Sequence, residues 1–190
     1  MTQHTNKHGT EDTDLKPAFV YATTRDWEGY FKAIDGREPR ATLIEALELF
    51  EREPVEKTRF AIDLGCGEGR DPSRLTMQLA PFEAVELPEC DLVNASFSLP
   101  FCRPEHYDTM WQKIVSSIRT GGRFSGQFFG DRDSWAQIED RSHHTREQVD
   151  MLLEPFTVEL MKVEERKGQD CDGTKKDWHV FHVVARKDAE

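Results

Sequence analysis

The stretch from Phe60 to Pro72, FAIDLGCGEGRDP, constrains this chain more than any other. Phe60 to Leu64 is too short and too apolar for a surface helix and reads as a buried parallel strand. Asp63 lies at its end, and glycines follow at 65, 67 and 69. Glycines at alternate positions let the backbone turn sharply and let a ligand come close to it. Asp71 can cap a helix that begins at Pro72, where the missing proline N–H would be unpaired anyway. Strand, glycine turn and helix start together describe the ligand-binding corner of an open α/β sheet.

The spacing separates one ligand from another. Dinucleotide sites use G-x-G-x-x-G, whereas here Arg70 follows Gly69 and the pattern is G-x-G-x-G. Asp63 and Glu68 place carboxylates where a diphosphate would sit, so a cationic ligand suits the corner better. Residues 63–69 resemble the first motif of the class I S-adenosylmethionine-dependent methyltransferases, D-x-G-x-G-x-G, at every fixed position. The resemblance implies that Gly65, Cys66, Gly67 and Gly69 wrap the methionine part of S-adenosylmethionine, with Asp63 beneath it. The competing reading is a glycine turn that holds nothing.

Length and composition set the outer limits. A chain of 190 residues has the size of one domain with a substantial core. No apolar run approaches the ~20 residues that span a bilayer, and the first residues lack a signal-peptide pattern, so the expectation is a cytoplasmic protein with no membrane partner. A net charge of −11 argues against a nucleic-acid surface. The four cysteines (66, 90, 102 and 171) have neither C-x-x-C pairing nor ligand spacing with histidine, so no metal is expected.

Taken in order, residues 1–16 read as a disordered arm and 17–56 as an N-terminal helical cap. The cap contains an amphipathic helix over 25–33 with Trp27, Tyr30 and Phe31, then a helix over 40–51. Leu43, Ile44, Ala46, Leu47 and Phe50 form its expected buried face. Residues 57–190 form the expected Rossmann-like domain. In the resembled family the first strand is followed by helix, strand, helix and a third strand. Here Met77 to Glu83 resembles that third strand and its exit, only about a dozen residues after Gly69, so a helix, a strand and a second helix are absent. The expectation is that 77–83 pairs beside the first strand. The family's ribose-holding acid ends the missing strand; by geometry Glu83, next to Phe82, is its substitute, the other reading being a solvated carboxylate.

Cys90 to Asn94 resembles the family's fourth strand, with Asn94 facing the cofactor. Phe97 and Phe101 line the substrate side or are simply buried. Pro104 starts a helix expected to reach Arg119 and to end on Gly121-Gly122, with a strand over 123–129. Trp135 packs over a substrate or anchors its loop, and Tyr30 lids the site or packs. His143 and His144 read as loop residues. Thr145 and Gln148 form a capping box. Residues 158–163 and 178–185 are two closing strands joined by a charged loop, 164–177. The expected fold is therefore α/β, a Rossmann-like methyltransferase sheet of about six strands, mostly parallel with a C-terminal antiparallel hairpin.

The resemblance implies an S-adenosylmethionine-dependent methyltransferase for a small-molecule acceptor, with no nameable general base. The alternatives are a non-catalytic binding module of the same fold and, opposed by Arg70 and the acidic loop, a nucleotide-dependent oxidoreductase. A shortened sheet implies a homodimer through the side carrying 72–86, unless helices at 25–51 cover it.

Overall fold

The computed structural model describes residues 29, 32, 36–54, 58–66, 80–170 and 173–189. The arm at 1–16, most of the 25–33 helix with Tyr30, Gly67, Gly69, the Asp71–Pro72 helix start, residues 77–79 and Cys171 lie outside them.

Among the described residues a six-stranded sheet carries the fold. Its strands are β1 (Ala61–Asp63), β2 (Cys90–Ala95), β3 (Ile118–Gly130), β4 (His143–His144), β5 (Phe156–Gln169) and β6 (Lys175–Lys187). They lie in the order β1-β2-β3-β6-β5, with β4 alongside the end of β3. The pairs β1–β2 and β2–β3 are parallel, and β6 runs antiparallel to both β3 and β5. The expected mixture of parallel strands and closing hairpin is present.

Among the described residues two helices cover one face and one helix the other, because residues alternate across a strand. Val93, Phe124, Phe128, Phe181 and Val183 face α2 (Pro104–Ser117) and α3 (Arg146–Leu152), whose Tyr107, Met110, Trp111, Ile114 and Val149 complete the larger core. Leu92 and Val184 face α1 (Ala41–Glu51) and its Leu43, Ala46 and Phe50. Thr145 caps α3 through the capping box seen in the sequence.

Several expectations change. Helix α2 stops at Ser117, because Ile118 is extended and already pairs with Cys90. Gly121, at φ +79°, therefore sits within β3, where the register slips between Cys90 and Leu92, rather than closing the helix. The 164–177 loop is mostly strand: Glu164 to Gln169 pairs with Lys175 to Val180 as the hairpin continues outward. On α1, Ile44 and Leu47 are exposed at 40% and 47%, whereas Thr42 is buried because its hydroxyl accepts from Gln127. The described part of the 77–83 strand, Ala80 to Glu83, leads through a turn instead: Ala84 and Val85 both donate to the Pro81 carbonyl. Proline cannot donate to a ladder, and Lys113 Nζ holds the Glu83 and Val85 carbonyls against α2. Among the described residues, β1 has a partner on one side only.

Candidate functional site

The site begins where β1 and β2 end. Asp63 and Asn94 are register partners, and Asn94 Nδ2 donates to Asp63 Oδ1 at 2.8 Å. Asn94 Oδ1 in turn accepts from Ser96 Oγ (3.1 Å) and Ser125 Oγ (2.9 Å), so four strand-end side chains fix one another. Leu64 N–H continues the ladder to the Asn94 carbonyl. Gly65 then turns with φ +70°, exposed, and lies so close to Ser98 that a Cβ would come within 2.5 Å of the serine Cβ. Only glycine meets both demands. Cys66 follows, half-buried, with burial and then the Asp63 charge pushing its thiol pKa up, so the thiol stays neutral.

The sequence-derived residues fall into three groups. Asp63, Gly65, Cys66 and Asn94 meet at this corner. Gly67, Gly69 and Tyr30 lie outside the described residues. Phe82 packs into the core on the α2 side, and Glu83 sits in the turn held by Lys113, so neither leaves a strand running beside β1. The geometry that recommended Glu83 as a ribose ligand is absent from the described residues.

Beside the corner stands an aromatic wall. The ring of Phe97 meets that of Phe129 edge-on at 6.1 Å; Phe129 meets Trp135 at 5.8 Å; Trp135 meets Phe101 at 6.2 Å. Phe97, Phe101 and Trp135 thus belong to one surface, with Phe129 linking them. Trp135 is anchored as well: its N–H donates to Asp133, and the buried Lys176 ammonium, paired with Asp133, lies 3.8 Å from its ring centre. Phe97 has φ 55°, a strained value for a phenylalanine. Its N–H donates to Gln127 Oε1 at 2.9 Å, while Gln127 Nε2 donates to Thr42 Oγ1 at 2.9 Å.

Sequence reading missed Arg40, Gln127, Glu164 and His182. The Arg40 guanidinium lies 4.6 Å from the centre of the Phe97 ring, and the His182 ring meets the same ring at 6.1 Å. His182 Nε2 is 2.9 Å from Glu164 Oε2. The only available signal was that residues two apart on extended β6 and β5 share a face, and Glu164 was assigned to a loop. His179 points to the opposite face, beneath Gly130, and its Nδ1 accepts from Arg132 N–H. His143 and His144 form β4 rather than a loop. Among the described residues no group of His, Cys, Asp and Glu could hold a metal ion. The same residues contain no helix long and apolar enough to cross a membrane. A cleft of about 790 Å³ lies between α2, α3 and the 136–144 segment, on the sheet face away from the Asp63–Asn94 corner.

This is the Rossmann-like fold of the class I S-adenosylmethionine-dependent methyltransferases. No protein-family model matches the sequence, and neither does a curated protein. Among solved structures, TehB from Haemophilus influenzae is similar with a TM-score of 0.64 at 14% identity, over 85% of this chain and 67% of that one. The Burkholderia thailandensis 1,6-didemethyltoxoflavin-N1-methyltransferase, solved with S-adenosylhomocysteine, gives 0.52 at 18% identity over 94% of each chain. The magnesium protoporphyrin IX methyltransferase of Synechocystis PCC 6803, solved with bound S-adenosylmethionine, gives 0.55 at 9%, over 93% of this chain and all of that one. At these identities the likeness is one of fold.

Proposed function

We propose that the chain is an S-adenosylmethionine-dependent methyltransferase for a small-molecule acceptor. The observation that carries this reading is the corner itself: a carboxylate locked by Asn94, next to an exposed glycine turn whose conformation excludes a side chain. An acidic corner at the carboxyl end of a parallel strand suits a ligand bearing an ammonium and a sulfonium. When bound there, the cofactor supplies an electrophilic methyl group. Asp63, Gly65, Cys66 and Asn94 would hold it, and the Phe97–Phe129–Trp135 wall would keep water from an acceptor and set its approach. Orientation of this kind converts an encounter into an effectively intramolecular step.

Calorimetry with S-adenosylhomocysteine tests the proposal. Micromolar binding that Asp63→Asn weakens at least tenfold supports it, and no heat at millimolar ligand refutes it. The second reading, a non-catalytic module, draws on the turn at Ala80–Ala84 and on β1 being outermost among the described residues. It is supported if S-adenosylhomocysteine does not bind while the protein unfolds cooperatively.

A further inference from the structure

Strand register puts one polar row on the face that α1 partly covers. Asp63 is opposite Asn94, Asn94 opposite Ser125, and Ser125 opposite Val184. Two residues nearer the carboxyl edge, Gln127 is opposite His182, and His182 is opposite Lys162. With strands ~4.8 Å apart and ~3.3 Å per residue, His182 lies about 15 Å from Asp63 across the same face. Asn94, Ser125 and Gln127 are buried along that row, whereas Phe97, Arg40 and His182 at its far end are partly exposed.

The surroundings of His182 are specific. Its Nε2 faces the Glu164 carboxylate at 2.9 Å, which fixes the proton on Nε2 and leaves the Nδ1 lone pair as an acceptor. The hydrogen bond of the His182 ring among the described residues is the one through Nε2. The ring abuts Phe97, which also meets Phe129 and the Arg40 guanidinium, and Phe97 is held at φ 55° by Gln127. Backbone strain fixed by a buried glutamine is the kind of local cost that accumulates at binding sites. Charged groups facing His182 are Glu164 and Lys162 on β5 and Arg40 before α1. Burial, opposed by Glu164, holds its pKa below the usual histidine value, so the ring is neutral and basic at pH 7.

We propose that His182, oriented by Glu164, is the general base for a planar aromatic acceptor carrying an ionisable O–H or ring N–H, bound against Phe97 and Arg40. The proposal rests on the methyltransferase reading. In the step, His182 Nδ1 takes the acceptor proton as the acceptor's O or N lone pair forms a bond to the methyl carbon. The cofactor, when bound, would supply the methyl group and would retain the carbon–sulfur electron pair as a neutral thioether. Glu164 is a positioning residue: it keeps the Nε2 tautomer and stabilises the imidazolium that forms.

The test uses 4-nitrophenol, whose phenolate absorbs visibly and reports its own ionisation, bound to the full chain at pH 6. Expected is a bound phenolate band in the parent, lost with His182→Asn, with dissociation constants for 4-nitrophenol raised at least tenfold. Glu164→Gln should lower the His182 pKa read by NMR titration of its ring carbon and diminish the band, and Glu164→Asp should restore it partly. Failure of 4-nitrophenol to bind, or a band that persists in His182→Asn, overturns the proposal. S-adenosylhomocysteine binding, measured on the same variants, should stay within twofold of the parent. If the parent binds S-adenosylhomocysteine but not 4-nitrophenol, the base assignment fails and the cofactor reading stands. If it binds neither, both fail.

Discussion

Gly65→Ala is the sharpest perturbation of the corner. Two penalties act on it independently. The residue sits at φ +70°, where an L side chain costs roughly 1–2 kcal/mol. The new methyl would also stand 2.5 Å from Ser98 Cβ, and Ser98 is buried at the carboxyl end of β2 with little room to retreat. Overpacking of this kind costs roughly 1–3 kcal/mol. The sum is a loss of about 2–5 kcal/mol, a large share of the stability of a small domain. Ser98→Gly removes the atom that the methyl meets but leaves the dihedral unchanged. A double-mutant cycle by urea unfolding should therefore show a favourable coupling of about 1–3 kcal/mol, with about 1–2 kcal/mol of loss remaining in the double variant. Purely additive losses would show that Gly65 and Ser98 are not packed as described. A cost below about 0.5 kcal/mol for Gly65→Ala would refute the left-handed turn as well.

Acidification should expose His144, whose pKa burial, reinforced by His143, pushes down to about 4. Folded His144 binds its proton less well than the unfolded residue, so its contribution is complete above about pH 6.5 and is lost as pH falls toward 4. At about 1.4 kcal/mol per pKa unit this reaches about 3 kcal/mol. His144→Phe, which keeps a ring against Tyr107, should flatten the stability profile between pH 6.5 and 4 by that amount, and an unchanged slope contradicts the assignment. Arg123 is buried, bonded to Glu53 and Glu159 and stacked on Phe50, so Arg123→Ala should cost about 3–5 kcal/mol in urea unfolding, and a loss under 1 kcal/mol would refute a structural ion pair. We also propose a homodimer through the β1 side, where Phe60 is half exposed; a monodisperse 22 kDa species that binds no apolar dye would exclude it.

The elements legible in the sequence were those whose signal is local. The motif at 63–69 reports a strand end and a turn because aspartate and glycine at that spacing have few other uses. The stripe through Tyr107, Met110, Trp111 and Ile114 repeats at helical period, and it packs as that period requires. Misread segments depended on partners far along the chain. Glu164 to Gln169 is charged on both faces and looks like a loop; it is strand because β6 offers it a continuous ladder. Gly121 and Gly122 looked like a helix stop, yet the pairing of Ile118 with Cys90 ended α2 first. The same limit hid the second half of the site. Phe97 and Asn94 could be picked from their place after an apolar strand, but Gln127, Glu164 and His182 acquire their roles only through register with β2 and β5.

That register also separates the proposed acceptor side from the outer side of β1. Every described residue on the proposed acceptor side (Phe97, Gln127, Phe129, Glu164 and His182) lies on or beside β2, β3, β6 or β5. Among the described residues nothing pairs with the outer side of β1, where the resembled family carries the strand whose terminal acid holds the cofactor ribose, and Ala80 to Ala84 makes a turn docked on Lys113. Removing one charge-assisted hydrogen bond costs ~1.5–3 kcal/mol, or roughly ten- to a hundredfold in affinity. Cofactor affinity should therefore be depressed while acceptor-probe affinity is not, and the two can be measured separately on the unmodified chain. The dissociation constant for S-adenosylhomocysteine is expected in the tens of micromolar or weaker, and Glu83→Gln should leave it unchanged. Nanomolar binding, or a tenfold loss with Glu83→Gln, would mean that a carboxylate does reach the ribose and that the corner is completed by the segment between Cys66 and Ala80.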